Sequence, residues 1–394
     1  VYMTANFFAA SFADGDEPGL AYFTSQLLER GTKKKDKYEI SRLLDSYGAD
    51  IDFHASRENS RIEVSTLTKY QDEVFDLLHE ILQEPAFLEE ELERLKTETK
   101  IKIKQEDDYP RRIAGRELSR MIYPAGHPYY AYSVEERLKA IDNITIEDIL
   151  VFYKKHYNKR NLMVSILGDL NEAKAKSLVD ATFADWNKDG LDLDGNNPPE
   201  IPLVELKEAE EKVITMPDKV QTEISMGHAS KVSRMHDDFY PLLLANYALG
   251  GSSLSSRLGT VVRDQNGLVY NIRSSFAASL GAGSFKVDLG CNPENTRKAI
   301  DLTKQVIKDY LAGGINETEL KVTKSYLIGS FAVRHLSSNE STAATLSQLQ
   351  LYQLGDDYIE NYAERINAIT LEQVNEAARK YIHPDKLKVT IVGP

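Results

Sequence analysis

Eight histidines are the first residues to test for chemistry, because a helical H-x-x-E-H places two imidazoles and a carboxylate on one face, the donor set with which Zn²⁺ activates water. They are His54, His79, His127, His156, His228, His236, His335 and His383, and no two stand three or four residues apart. They read as surface, capping or core side chains. The single cysteine, Cys291, excludes an internal disulfide and any cluster of thiolate ligands. Asp192-Leu193-Asp194-Gly195 begins like a calcium loop, but Leu203 occupies the place of the closing glutamate. Gly250-Gly251 through Gly259-Thr260 lacks the lysine of a phosphate loop, so nucleotide binding is not expected. Lys33-Lys34-Lys35 reads as a solvated turn, and no Ser/His/Asp or paired-carboxylate arrangement stands out.

The chain that must position any site has 394 residues, 42% apolar and 28% charged, enough to bury a core in two or three domains. With 61 acidic against 48 basic residues and a net charge of -13, it would repel a nucleic-acid backbone, so no nucleic-acid partner is expected. No run approaches the roughly 18 apolar residues of a membrane span.

An internal repeat organises the sequence. Ile144-Thr145-Ile146-Glu147 with Leu162-Met163-Val164-Ser165-Ile166-Leu167-Gly168 recurs, at equal spacing, as Ile369-Thr370-Leu371-Glu372 with Leu387-Lys388-Val389-Thr390-Ile391-Val392-Gly393. In each copy a Thr followed three residues later by Asp148 or Gln373 predicts a capping box, an amphipathic helix and then an apolar strand. Glu91-Leu92 with Lys96 and Glu319-Leu320 with Lys324 repeat at nearly the same offset. The predicted organisation is therefore an N-terminal α+β repeat over 1–186, a Gly/Pro/Asn/Asp-rich linker over 187–211 and a C-terminal α+β repeat over 212–394, each an antiparallel sheet packed by helices. Alternation predicts strands at Arg61 to Leu67 and Gly48 to Arg57, at Val220 to Met226, and a hairpin over Val269 to Leu289. Helical spacing covers Tyr38 to Tyr47, Glu73 to Leu82 and Glu89 to Gln105. Half two begins with a strand near Lys212 to Thr215 whose counterpart in half one would precede Val1.

Gly19-Leu20-Ala21-Tyr22-Phe23-Thr24-Ser25-Gln26-Leu27-Leu28-Glu29-Arg30-Gly31-Thr32 resembles the zinc helix of the insulinase, pitrilysin and mitochondrial processing peptidase family, which reads roughly G-L-A-H-F-L-E-H-M-L-F-K-G-T. The flanks match and the centre does not: Tyr22, Ser25 and Gln26 occupy the first histidine, the catalytic glutamate and the second histidine. A phenol, a hydroxyl and an amide are poor zinc donors, and neither Ser25 nor Gln26 is a general base near neutral pH. The family's remaining ligand, a glutamate, falls in Thr99-Lys100-Ile101-Lys102, which has no carboxylate. Glu29 lies two helical turns beyond Tyr22 on the same face, and a lone carboxylate makes no metal site. The resemblance continues through Tyr123-Pro124-Ala125-Gly126-His127-Pro128-Tyr129, a structural turn in that family, and through Arg160 to Asp169, its terminal strand.

In half two, Leu249-Gly250-Gly251-Ser252-Ser253-Leu254-Ser255-Ser256-Arg257-Leu258 followed by Val262-Arg263-Asp264-Gln265-Asn266-Gly267-Leu268-Val269-Tyr270 is similar to the family's L-G-G-G-x-x-S-R-L and R-x-x-x-G-L-x-Y. By residue chemistry alone, Arg263 reads as a helix-end cap and Tyr270 as a strand aromatic. The resemblance implies that both are catalytic and substrate-binding groups, hydrogen-bond donors to a substrate carbonyl that becomes an oxyanion. It implies a zinc-free subunit that binds no metal itself and completes the peptidase site of a zinc-bearing H-x-x-E-H partner, two such units closing around a chamber. Peptide substrates would bind as an added strand along an exposed sheet edge. The long glycine-rich insertion of the processing peptidases' zinc-free subunit is absent here, which argues against that particular subunit. The alternative is a scaffold or binding protein that kept the fold, as core subunits of a mitochondrial respiratory complex do; Arg263 and Tyr270 would then be buried or point apart.

Overall fold

The computed structural model describes residues 1–15, 17–187, 198–252 and 255–394. It is an α+β structure with two sheets. The first is built from β1 (Tyr2–Phe7), β2 (Asp50–Ala55), β3 (Ser60–Ser65) and β4 (Met163–Leu167), in the order β2-β3-β1-β4 and antiparallel throughout. The second contains β5 (Glu210–Thr215), β6 (Thr222–Ala229), β7 (Val269–Ala278), β8 (Ala282–Cys291) and β9 (Lys388–Gly393), in the order β5-β9-β6-β8-β7. Substituting β6 to β9 for β1 to β4 reproduces the first order, so the repeated sequence is a repeated topology. β5, which runs parallel to β9 at the sheet edge, has no counterpart in the first sheet.

The residues form two compact units, each discontinuous in sequence. One comprises Val1–Lys104, Val134–Pro199 and Ala332–Gly355, the other Gln105–Ser133, Glu200–Phe331 and Asp356–Pro394. The predicted linker lies partly outside the described residues; of its remainder, 198–209 is neither helix nor strand, and Ile201 and Val204 pack against Tyr123, Tyr129 and Ala229 of the second unit. The calcium-like segment at 192–195 also falls outside the described residues.

In the first unit, Met3, Ala5 and Phe7 alternate toward a core shared with Ile62, Val64, Phe23, Leu27, Leu78 and Trp186. The intervening Thr4 and Asn6 are buried too, against the helix Asn339–Leu351, whose Ser347 hydroxyl meets the Asn6 amide. In the second unit the helix Pro110–Ile122 covers β6 and β9, and Thr390 donates to the Ala114 carbonyl at 2.8 Å. Each sheet is thus closed on both faces, one of its covering helices coming from the distant half of the chain. The two predicted capping boxes are present: Thr145 and Asp148 exchange bonds at the start of the helix Ile146–His156, as do Thr370 and Gln373 ahead of Leu371–Tyr381.

Candidate functional site

The helix Leu20–Leu28 has no side-chain cap on Gly19, whose φ of 110° only glycine takes readily. Its first amides are held instead by Asp14, which accepts from Gly19 N at 2.8 Å and Ala21 N at 2.7 Å. Burial pushes the Asp14 carboxyl up to about 7, against the two amide bonds that favour its charged form. Ala21, Phe23, Leu27 and Leu28 point into the core.

This fixes Tyr22, Ser25 and Gln26, the residues that the sequence resemblance sets against the family's zinc motif. Ser25 is buried and donates to the Tyr22 carbonyl at 2.8 Å. Gln26 Nε2 donates to the carbonyl of Phe53 on β2 at 3.0 Å, and Glu29 Oε1 accepts from the Phe53 amide at 2.9 Å. Ser25, Gln26 and Glu29 each bond main chain, and the Tyr22 ring meets Phe23 edge-on at 5.5 Å; a hydroxyl, an amide and a phenol so placed do not fit zinc. Among the described residues no group of three or more His, Cys, Asp and Glu is gathered to hold a metal ion. His127 is structural: its Nδ1 accepts from the Tyr129 amide at 3.0 Å, so Nε2 carries the proton and donates to the Pro202 carbonyl at 3.0 Å.

Burial, with Asp52 adding to it, lifts the Glu29 carboxyl to about 7. A carboxyl raised in the native state binds its proton more tightly there than in the unfolded chain, so its contribution is full below the unfolded value near 4.5 and is lost as pH climbs through 7. Glu29→Gln keeps an oxygen for Phe53 and removes the ionisation. Its melting temperature relative to wild type should therefore rise between pH 5 and pH 8; a difference that does not change with pH would contradict the burial of this carboxyl.

Arg263 and Tyr270 lie in the second unit. The helix Phe239–Asn246 continues into a π-helical turn, Tyr247–Gly251, and a second such turn spans Gly259–Gln265. Wide turns of this kind often mark functional sites. A Cβ on Gly250 would sit 2.4 Å from Ser274 Oγ and 2.8 Å from Ser274 N, so glycine lets the first turn lie directly on β7. Ser253 and Leu254, in the glycine-serine turn, lie outside the described residues. Arg257 is structural, binding Glu319 through two nitrogens at 2.8 and 2.7 Å and the Gly314 carbonyl at 2.7 Å.

Arg263 sits in the second π-turn, half-buried, with Nε on the carboxylate of Asp264 at 2.8 Å. That ion pair is partly solvated, the kind of contact worth about 0–1 kcal/mol, and it leaves the outer nitrogens of the fork to other acceptors. The turn ends at Gly267, with φ of 62°, whose amide donates to the Arg263 carbonyl at 2.9 Å. The chain then enters β7 through a bulge: Val269 stands opposite Cys291 and Asn271 opposite Gly290, leaving Tyr270 as the extra residue. A bulge re-aims the side chain it carries. Tyr270 is 61% exposed, far more than a packed strand aromatic. Sequence spacing could name this Arg and Tyr but could not show the bulge. The engagement of Phe53 by Gln26 and Glu29 was equally hidden, its only trace being an amide and a carboxylate three apart on a helix otherwise facing the core.

Two family descriptions match the chain: insulinase, peptidase family M16, over residues 9–127, and peptidase M16 inactive domain over 143–327. A Helicobacter pylori protein described as a non-peptidase homolog, YmxG, is 24% identical over 387 residues, 97% of this chain and 86% of its own length. The crystal structure of a peptidase M16 inactive domain from Pseudomonas fluorescens superposes with a TM-score of 0.90 at 26% identity, covering 100% of this chain and 92% of that one. A Helicobacter pylori protease structure has the same fold, with a TM-score of 0.85 at 18% identity over 100% of this chain and 94% of that one. With both M16 descriptions matched in order along one chain, and the duplicated α+β architecture to hold them, the protein belongs to the insulinase family of M16 peptidases.

Proposed function

We propose that this chain is the non-catalytic member of a two-chain zinc peptidase, binding peptide and supplying Arg263 and Tyr270 to a partner that carries H-x-x-E-H and the metal. The observation that carries this reading is the bulge that turns Tyr270 outward on the strand following the turn of Arg263, while Tyr22, Ser25 and Gln26 fill the zinc positions. A scaffold need not hold a tyrosine 61% exposed at the start of the strand that follows the turn of a weakly tethered arginine. The relative described as a non-peptidase homolog supports the absence of autonomous hydrolysis. In the proposed complex the guanidinium and phenol donate to the scissile carbonyl oxygen, and their bonds strengthen as that oxygen gains charge.

Co-expression with an M16 relative that has an intact H-x-x-E-H should yield a complex that cleaves unfolded peptides, with neither chain active alone. A complex that forms without cleaving, or two chains that do not associate, would favour a scaffold.

A further inference from the structure

β2 is the edge strand of the first sheet, and an edge strand presents unpaired amides and carbonyls that can template a further strand. Phe53 is the central one of the alternate β2 residues, with Ile51 and Ala55, whose main-chain groups turn away from β3, and both of its groups are occupied. Its amide donates to Glu29 Oε1 at 2.9 Å and its carbonyl accepts from Gln26 Nε2 at 3.0 Å. One donor and one acceptor at that spacing are what a residue of a neighbouring antiparallel strand would offer. The mimic is held firmly: the helix bearing it packs Phe23, Leu27 and Leu28 into the core and is anchored by Asp14 through Gly19 and Ala21. Asp50 and Asp52 are exposed on the same strand, a charge pattern that discourages edge pairing. The second unit repeats only half of the device. Asn246 donates to the Ser274 carbonyl on β7 at 3.2 Å, while Gly250, without a side chain, stands beside the Ser274 amide.

We propose that Gln26 and Glu29 form an internal clamp that closes the β2 edge, so that this chain does not take an extended peptide along β2 unless the clamp is displaced. The expectation that peptides add to an exposed edge is thereby directed away from this strand. The inference stands apart from the pairing with a zinc-bearing chain, since it is measured on this chain alone.

The test compares the full chain with Gln26→Ala/Glu29→Ala by amide hydrogen exchange and by fluorescence anisotropy with a labelled synthetic peptide of alternating Thr and Val. In the wild type the Phe53 amide should be protected. In the double variant it should exchange about tenfold or more faster, the consequence of one lost hydrogen bond. The same variant should bind the peptide about tenfold or more tightly than wild type, with bound peptide slowing exchange at Ile51, Phe53 and Ala55. A wild type that binds equally well along β2, or a Phe53 amide indifferent to the substitutions, overturns the proposal. If the double variant does not fold, Glu29→Ala alone, which removes the acceptor of the Phe53 amide, is read in the same way, and a rapidly exchanging Phe53 amide in the wild type already suffices to overturn it.

Discussion

Replacing Arg263 with Ala should lower turnover by the reconstituted complex about 10²-fold or more, the range measured when one donor to a developing oxyanion is removed. The loss should fall on kcat more than on KM, because a donor aimed at the oxyanion contributes most where charge is greatest. Arg263→Lys should recover only part of it, since a point charge on a flexible stem does not reproduce the planar fork. Removing only the Tyr270 hydroxyl, by Tyr270→Phe, should also reduce kcat while leaving the bulge intact. Steady-state kinetics on the four complexes decide the matter: full activity in Arg263→Ala would end the oxyanion assignment, and an equal rise in KM with kcat preserved would make Arg263 a substrate anchor instead. The assay must use the complex.

The second large effect concerns stability. Trp186→Ala should destabilise the first unit by about 3–5 kcal/mol, the usual cost of emptying a fully buried aromatic site. Trp186 is 0% exposed, meets Phe7 edge-on at 5.3 Å and Phe183 at 5.6 Å, and directs its indole N–H at the Tyr153 hydroxyl, 3.3 Å away. It is the chain's one tryptophan, so in the wild type its emission reports on this core alone, and the variant must be followed by circular dichroism or amide exchange. Because two compact units need not unfold together, exchange at β1 and β3 is the sharper readout. A loss below about 1 kcal/mol would mean that the indole site collapses on removal.

Much of this architecture was legible in sequence because its signals are local. The capping boxes at Thr145 and Thr370 require two residues three apart, and the strands Arg61 to Leu67 and Val220 to Met226 declare themselves through alternation and β-branching. The structure places β3 at Ser60–Ser65 and β6 at Thr222–Ala229. The repeat was visible because its two copies kept the same cap-helix-strand order. What stayed hidden depends on contacts distant in sequence. The apolar stripe of Pro110–Ile122 shows that the helix is buried without showing which sheet it covers. Likewise Val269 to Leu289 reads as a hairpin, but only the pairing of Val269 and Asn271 with neighbouring residues of β8 exposes Tyr270 as the unpaired one. Glu29 looked like an isolated carboxylate because its partner, the amide of Phe53, has no signature in the side-chain code.

The exchange of covering helices constrains how the protein can be made. Residues as late as Gly355 belong to the first unit, so its β1 face stays bare during synthesis until most of the chain has left the ribosome. Fragments cut at the midpoint would each lack a lid and leave buried polar groups of the bared sheet face, Asn6 in one and Thr390 in the other, without the partners that satisfy them. Closure over such sequence distances carries a large loop-entropy cost and slows folding. The same threading leaves neither half dispensable to the other.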